Sequence, residues 1–199
     1  MTLEMTKKDL ILRESKNMFL KYGIHTVSMD DIATKCGVSK RTIYQFFENK
    51  SDLLGQIVEA EMDNSKRRLE RITKESPNAI AELLCFFNYL ETFFSSLSPT
   101  VLRDVKRFHI ELYIKLAKFK KSTILPFMEK NIERGKKDDL YKSGLNVGEM
   151  SKTYLKTLDA LLKDGDMLQV EEDMNSLSFM NNLFIHRLVT TKGLDRLAG

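Results

Sequence analysis

Five residues in a row of six, Lys40, Arg41, Thr42, Tyr44 and Gln45, carry the chemistry of nucleic-acid recognition. A lysine and an arginine supply positive charge for phosphates or guanine edges, and threonine and glutamine supply hydrogen bonds to base edges. The Tyr44 hydroxyl can reach a phosphate oxygen. Between Lys35 and Lys50 there are four basic residues (Lys35, Lys40, Arg41, Lys50) and one acidic residue, Glu48.

Such a face needs two short helices and a tight corner, and the flanking residues predict them. Ser28 suits a helix N-cap, with Asp31 at the position of a capping-box partner. Met29, Ile32, Ala33 and Cys36 then share one face at helical spacing. Gly37 can take the positive φ that a sharp turn requires, Val38 plugs the corner, and Ser39 caps a second helix with Ile43, Phe46 and Phe47 inward. A small residue where the helices cross, followed by this turn, is the pattern of a DNA-binding helix-turn-helix. Asn49 and Asp52 start the next helix and put Lys50 in its first turn, beside the DNA backbone. The plain alternative is a three-helix packing unit with a solvated basic face.

Composition sets the outer bounds. The chain has 199 residues, 42% hydrophobic and 30% charged, with 32 basic and 28 acidic side chains giving a formal charge of +4. That fits a globular protein, and the excess is too mild to imply nucleic acid by itself. Cys36 and Cys85, the only two cysteines, sit at apolar helical positions and read as buried thiols of a reducing cytoplasm. MTLEMTKKDL has no apolar signal core, and no apolar run reaches spanning length, so a cytoplasmic protein without membrane contact is expected. No phosphate-binding glycine loop, GxSxG, HExxH or paired carboxylate beside a histidine occurs. No enzyme chemistry, cofactor or metal site is therefore assigned.

Three prolines, nine glycines and a sustained 3.6-residue period make the whole chain read as helix. Helix one is expected over about Lys7 to Tyr22, and a long connecting helix from near Lys50 to about Ile72. Further helices are expected from Pro77 to about Ser95, Pro99 to about Lys121, Ser122 to about Gly135, Val147 to Leu162, and Glu172 to Thr190. The stretch from Arg103 to Lys121 holds seven basic residues against Asp104 and Glu111. Spread around a helix, these read as a solvated face rather than a membrane surface.

SMDDIATKCG followed by VSKRTIYQFFENKSDLL closely resembles the N-terminal DNA-binding domain of the TetR family of bacterial transcriptional regulators. Ile11, Met18, Phe19, Tyr22 and Gly23 fall where that family has its first helix. The resemblance covers about the first quarter of the chain. It implies an all-α fold, with a three-helix helix-turn-helix domain over 1–50, the connecting helix over about 50–72, and a larger helical ligand-binding and dimerisation domain over 73–199. The DNA-contact candidates are Ser28, Ser39, Lys40, Arg41, Thr42, Tyr44, Gln45 and Lys50. Two departures are Ser15, where alanine is more usual, and Asp30, whose carboxylate repels phosphate.

The resemblance also implies a homodimer on a palindromic double-stranded operator and a pocket for an unidentified small-molecule inducer. Two-fold pairing would give two recognition helices on successive major grooves. From the apolar stripes of the last two helices, the interface candidates are Leu155, Leu158, Leu162, Leu177, Met180 and Phe184. The pocket candidates, from an aromatic concentration in the middle helices, are Phe86, Phe87, Phe108, His109, Tyr113 and Phe127, with His109 more readily read as a surface or satisfied core histidine than as a pocket group. The expected function is a ligand-responsive repressor. An architectural DNA binder, or an adaptor for a protein or membrane partner, stands as the alternative.

Overall fold

The computed structural model describes residues 6–161 and 170–198, and they are helical nearly throughout. The chain folds as two compact units. The first comprises 1–64 and 96–115, and the second comprises 65–95 and 116–199.

In the first unit, α1 (Lys7–Tyr22) opens on a capping box: Thr6 Oγ1 accepts from Asp9 N at 3.1 Å, and Thr6 N donates back to the Asp9 carboxylate. Its buried face is Ile11, Ser15 and Phe19, at spacings of four. The Ser15 hydroxyl is fully buried and has no hydrogen-bond partner, so the substitution noted in the sequence leaves a desolvated polar atom in the packing. Next come α2 (Met29–Cys36), α3 (Lys40–Tyr44) and α4 (Lys50–Glu75). Ile32, Ile43, Phe47 and Leu53 close the core between them at 0–1% exposure. Burial of side chains this large contributes roughly 1.5–3 kcal/mol each, which is what holds helices as short as α2 and α3 in place.

Helix α6 (Pro99–Phe108) also belongs to this unit and presses on the loop after α1. Gly23 there has φ +86°, and a Cβ on it would overlap the Thr100 hydroxyl, so glycine is required twice over. The single helix expected from Pro99 to Lys121 is broken: His109 leaves helical geometry (φ −135°, ψ 58°), and α7 (Ile110–Phe119) starts afresh. A π-helical turn, Lys120–Ile124, then leads into α8 (Leu125–Lys137).

In the second unit α5 (Ala79–Ser95) starts two residues later than expected, with Asn78 Oδ1 accepting from Ala81 N at 2.9 Å. Its face of Ile80, Leu83, Phe86, Phe87 and Leu90 packs into one core with α8, α9 (Val147–Leu161) and α10 (Val170–Leu188). Glu82, 3% exposed, is satisfied there by Asn131 Nδ2 at 3.0 Å and the Arg134 guanidinium at 3.3 Å. The Tyr141 ring fills the space that a side chain at Gly135 would need, and its hydroxyl donates to Ala79 O at 3.0 Å. A last helix, α11 (Thr191–Ala198), was not expected; the Tyr141–Val189 bridge turns the chain into it.

Four side chains depart from the sequence expectation. Cys85 is exposed and Cys36 half-buried, where both were expected buried. Phe46 is 37% exposed, because α3 ends at Tyr44 and Ile43 with Phe47 fills the inward positions. Leu183, which helical spacing places inward beside Leu177 and Phe184 on α10, is 56% exposed.

Candidate nucleic-acid interface

Local chemistry builds the two-helix motif as the sequence suggested. Ser28 Oγ accepts from Asp31 N at 3.1 Å while Ser28 N donates to Asp31 Oδ2 at 2.8 Å. Those hydrogen bonds from Ser28 hold the Asp31 carboxyl below its ordinary value. The Ser28 hydroxyl also donates to Asp31 Oδ2 at 2.6 Å, so it is engaged in the cap. Gly37 sits in the left-handed region (φ 65°, ψ 32°), and Val38 N reaches back to Ala33 O at 3.0 Å. The chain thus turns in two residues, and Ser39 Oγ caps α3 by accepting from Thr42 N at 3.1 Å.

That cap sorts the candidate contacts. Ser39 and Thr42 share a side-chain hydrogen bond at 2.9 Å, and Thr42 is half-buried. Lys40, Arg41, Tyr44 and Gln45 are all exposed on α3 and the residue after it, while Ile43 beneath them is fully buried. The arrangement presents two cations, a phenol and an amide on a helix pinned from below, which is what groove and phosphate contacts require. Lys40 Nζ donates to Asp30 Oδ2 at 2.8 Å. Phe46, exposed next to Gln45, joins this surface; aromatic carbon can pack against a thymine methyl group. The three-residue step from Ile43 reads as core from spacing alone, so no sequence signal separated Phe46 from Phe47.

Lys50 lies differently from a freely extended lysine. It is the first residue of α4, half-buried, with Nζ donating to His25 O at 3.4 Å and lying 5.8 Å from the Phe19 ring centre. Burial lowers its pKa, and the carboxylates of Asp104 and Asp31 counter that shift.

The remaining candidates divide between the units. Phe86, Phe87 and Phe127 come together in the second, with ring centres 6.1 Å apart for Phe86–Phe87 and 4.9 Å for Phe86–Phe127. Tyr154 joins them, 5.7 Å from Phe87. Its hydroxyl donates to Asn181 Oδ1 at 2.8 Å, and Asn181 Nδ2 donates to Glu91 Oε1 at 2.7 Å, a polar thread the sequence did not reveal. Phe108, His109 and Tyr113 belong to the first unit and are not gathered with that cluster; Phe108 is 52% exposed and stacks on His25 at 5.3 Å.

Among the dimer-interface candidates, Leu158, Leu177 and Phe184 are buried inside the second unit's own core. Leu155 and Met180 are partly buried against it, and Leu162 lies outside the described residues. Among the residues of α10 whose side chains are described, the large apolar ones exposed to solvent are Phe179 and Leu183, at 65% and 56%. Among the described residues, no helix is long and apolar enough to cross a membrane.

Comparison with known proteins matches this geometry. Residues 11–57 fit the family model described as bacterial regulatory proteins, tetR family. The chain is 28% identical over 89 residues to the HTH-type transcriptional activator FasR of Mycolicibacterium smegmatis, a match that spans 43% of this chain and 41% of FasR. It is 23% identical over 171 residues to the fatty acid metabolism regulator protein of Bacillus subtilis, covering 84% of this chain and 88% of that one. The crystal structure of the transcriptional regulator FadR from Bacillus subtilis in complex with stearoyl-CoA superposes with a TM-score of 0.65 at 21% identity, over 89% of this chain and 97% of that one. Residues 11–57 therefore form a helix-turn-helix domain of the kind described for bacterial regulatory proteins of the tetR family.

Proposed function

We propose that the protein is a dimeric, cytoplasmic, ligand-responsive transcriptional repressor that binds a palindromic operator through α3 and leaves it when a small molecule occupies the second unit. One observation carries the DNA reading: Lys40, Arg41, Tyr44 and Gln45 stand exposed on a capped helix whose opposite side, Ile43, is fully buried. Arg41 and Gln45 read bases, Tyr44 and Lys50 hold phosphates, and Ser39, Ser28 and Thr42 act through the caps that fix the helices. One such unit makes few contacts, so two copies with recognition helices about 34 Å apart supply the affinity. Phe179 and Leu183 of α10 support a second copy as the cover for that face.

The ligand enters this reading through linkage. A molecule that prefers one conformation of the second unit lowers operator affinity by the same factor by which DNA lowers its own. The aromatic core of Phe86, Phe87, Phe127 and Tyr154 suits an apolar ligand. Similarity to a regulator crystallised with stearoyl-CoA makes long-chain acyl-CoA the first class to try.

The test is fluorescence anisotropy on duplex DNA from upstream of the protein's own gene, beside a scrambled duplex, across a salt series. A preference of two or more orders of magnitude, reversed by an acyl-CoA or another ligand from a screen, is the expected result. Equal and steeply salt-dependent binding to both, and again to duplexes selected from a random pool, would instead make it an architectural binder.

A further inference from the structure

Among the described residues of the first unit, one buried carboxylate is not used by the DNA reading. Asp104, on α6, is 4% exposed, and its Oδ2 accepts from the backbone N–H of His25 at 2.9 Å. The other end of the same residue, its carbonyl, accepts from Lys50 Nζ at 3.4 Å. One loop residue is therefore held by an anion from α6 and a cation from α4.

Further contacts hold the end of α1 and the same loop. Ser98 N donates to Leu20 O at 2.6 Å, Thr100 fills the space over Gly23, and the Phe108 ring stacks on His25. Thr100, Asp104 and Phe108 recur every four residues, so one stripe of α6 grips the segment that feeds the helix-turn-helix. Of the two carboxylates that attract Lys50, Asp31 is taken up in the Ser28 capping box. Asp104 accepts from a neutral amide, its charge acts on His109 as well as on Lys50, and a carboxylate this buried needs a positive charge near it.

We propose that Asp104 is a positioning residue for DNA binding: its buried charge keeps the Lys50 ammonium folded on the His25 peptide, in competition with a DNA phosphate. The inference rests on the reading of Lys50 as a phosphate contact and adds what restrains it. Any displacement of α6 then changes the supply of one phosphate-binding cation, because the restraint sits on that helix.

The experiment uses the full chain and four proteins: wild type, Asp104→Asn, Lys50→Ala and the double variant. Each is titrated against a duplex that the wild type has selected from a random pool, over a salt series. Asparagine keeps an acceptor for His25 N–H and removes only the charge. Asp104→Asn is expected to bind about fivefold tighter, the scale of one solvent-screened charge interaction, and to gain nothing in the Lys50→Ala background. Acetylation of Lys50, followed by mass spectrometry without DNA, should be faster in Asp104→Asn than in wild type. Asp104→Ser, whose hydroxyl also accepts, carries the same expectations if the asparagine variant does not fold. Weaker or unchanged binding by a folded Asp104→Asn, or equal tightening without Lys50, overturns the competition. A Lys50→Ala protein with wild-type affinity and salt slope overturns the phosphate contact itself.

Discussion

Lys40 Nζ donates to Asp30 Oδ2 at 2.8 Å, so the first residue of α3 is clasped by the helix before it. The carboxylate that the sequence marked as hostile to phosphate is paired with a cation of the next helix. That hydrogen bond and charge raise the Lys40 pKa. Both side chains are at least half exposed, so the pair stabilises the fold little and is open to exchange with a phosphate.

Asp30→Asn is therefore expected to tighten DNA binding and steepen its salt dependence by about 0.9 in log–log slope, the yield of one further phosphate contact. Anisotropy titrations over a salt series read both. An unchanged slope would mean that Lys40 faces base edges rather than the backbone.

Ser15→Ala should stabilise the protein. The hydroxyl is buried without a hydrogen-bond partner, and removing an unsatisfied polar atom of that kind returns about 1 kcal/mol. Urea unfolding followed by circular dichroism measures it. A loss of stability instead would reveal a bound water satisfying Ser15.

What the sequence made legible is decided within a few residues along the chain. The Ser28–Asp31 box, the Ser39 cap and the left-handed Gly37 each follow from a side chain and a backbone three or four positions apart, and all are present. What escaped depends on distant partners. Helical period runs unbroken through His109, yet α6 ends there. Lys50 reads as an outward cation until His25 and Asp104, 25 and 54 positions away, are seen to draw it in. On α10 the wide apolar stripe announces packing but not its direction, so Phe184 went to the core and Phe179 to solvent.

Acid should undo α2 before the hydrophobic core fails. The Asp31 carboxyl is held below its ordinary value by its hydrogen bonds from Ser28, so the ionised form is favoured in the folded state. Its contribution is complete above the unfolded value of about 3.9 and is lost as pH falls through the lower folded value. Amide exchange at Ile32 and Ala33 should accelerate in that window, and Asp31→Asn should remove the pH dependence. Equal protection in both proteins would show that packing alone holds the helix.

Two kinds of apolar residue on the last long helices should answer mutation in opposite ways. Leu158 is 3% exposed within the second unit's core, and its replacement by alanine should cost about 2–5 kcal/mol while leaving the association state intact. Phe179 and Leu183 stand four residues apart on α10, both mostly exposed, and bury little within their own subunit. In the dimer proposed above, changing both to glutamate should leave the melting of the separated chain near the wild-type value and convert the dimer to a monomer, because two buried charges would face their copies across a two-fold axis. Sedimentation velocity resolves the two species. A dimer that survives the double glutamate change would place the interface on another face, and operator affinity measured on the same variant would then be unaltered.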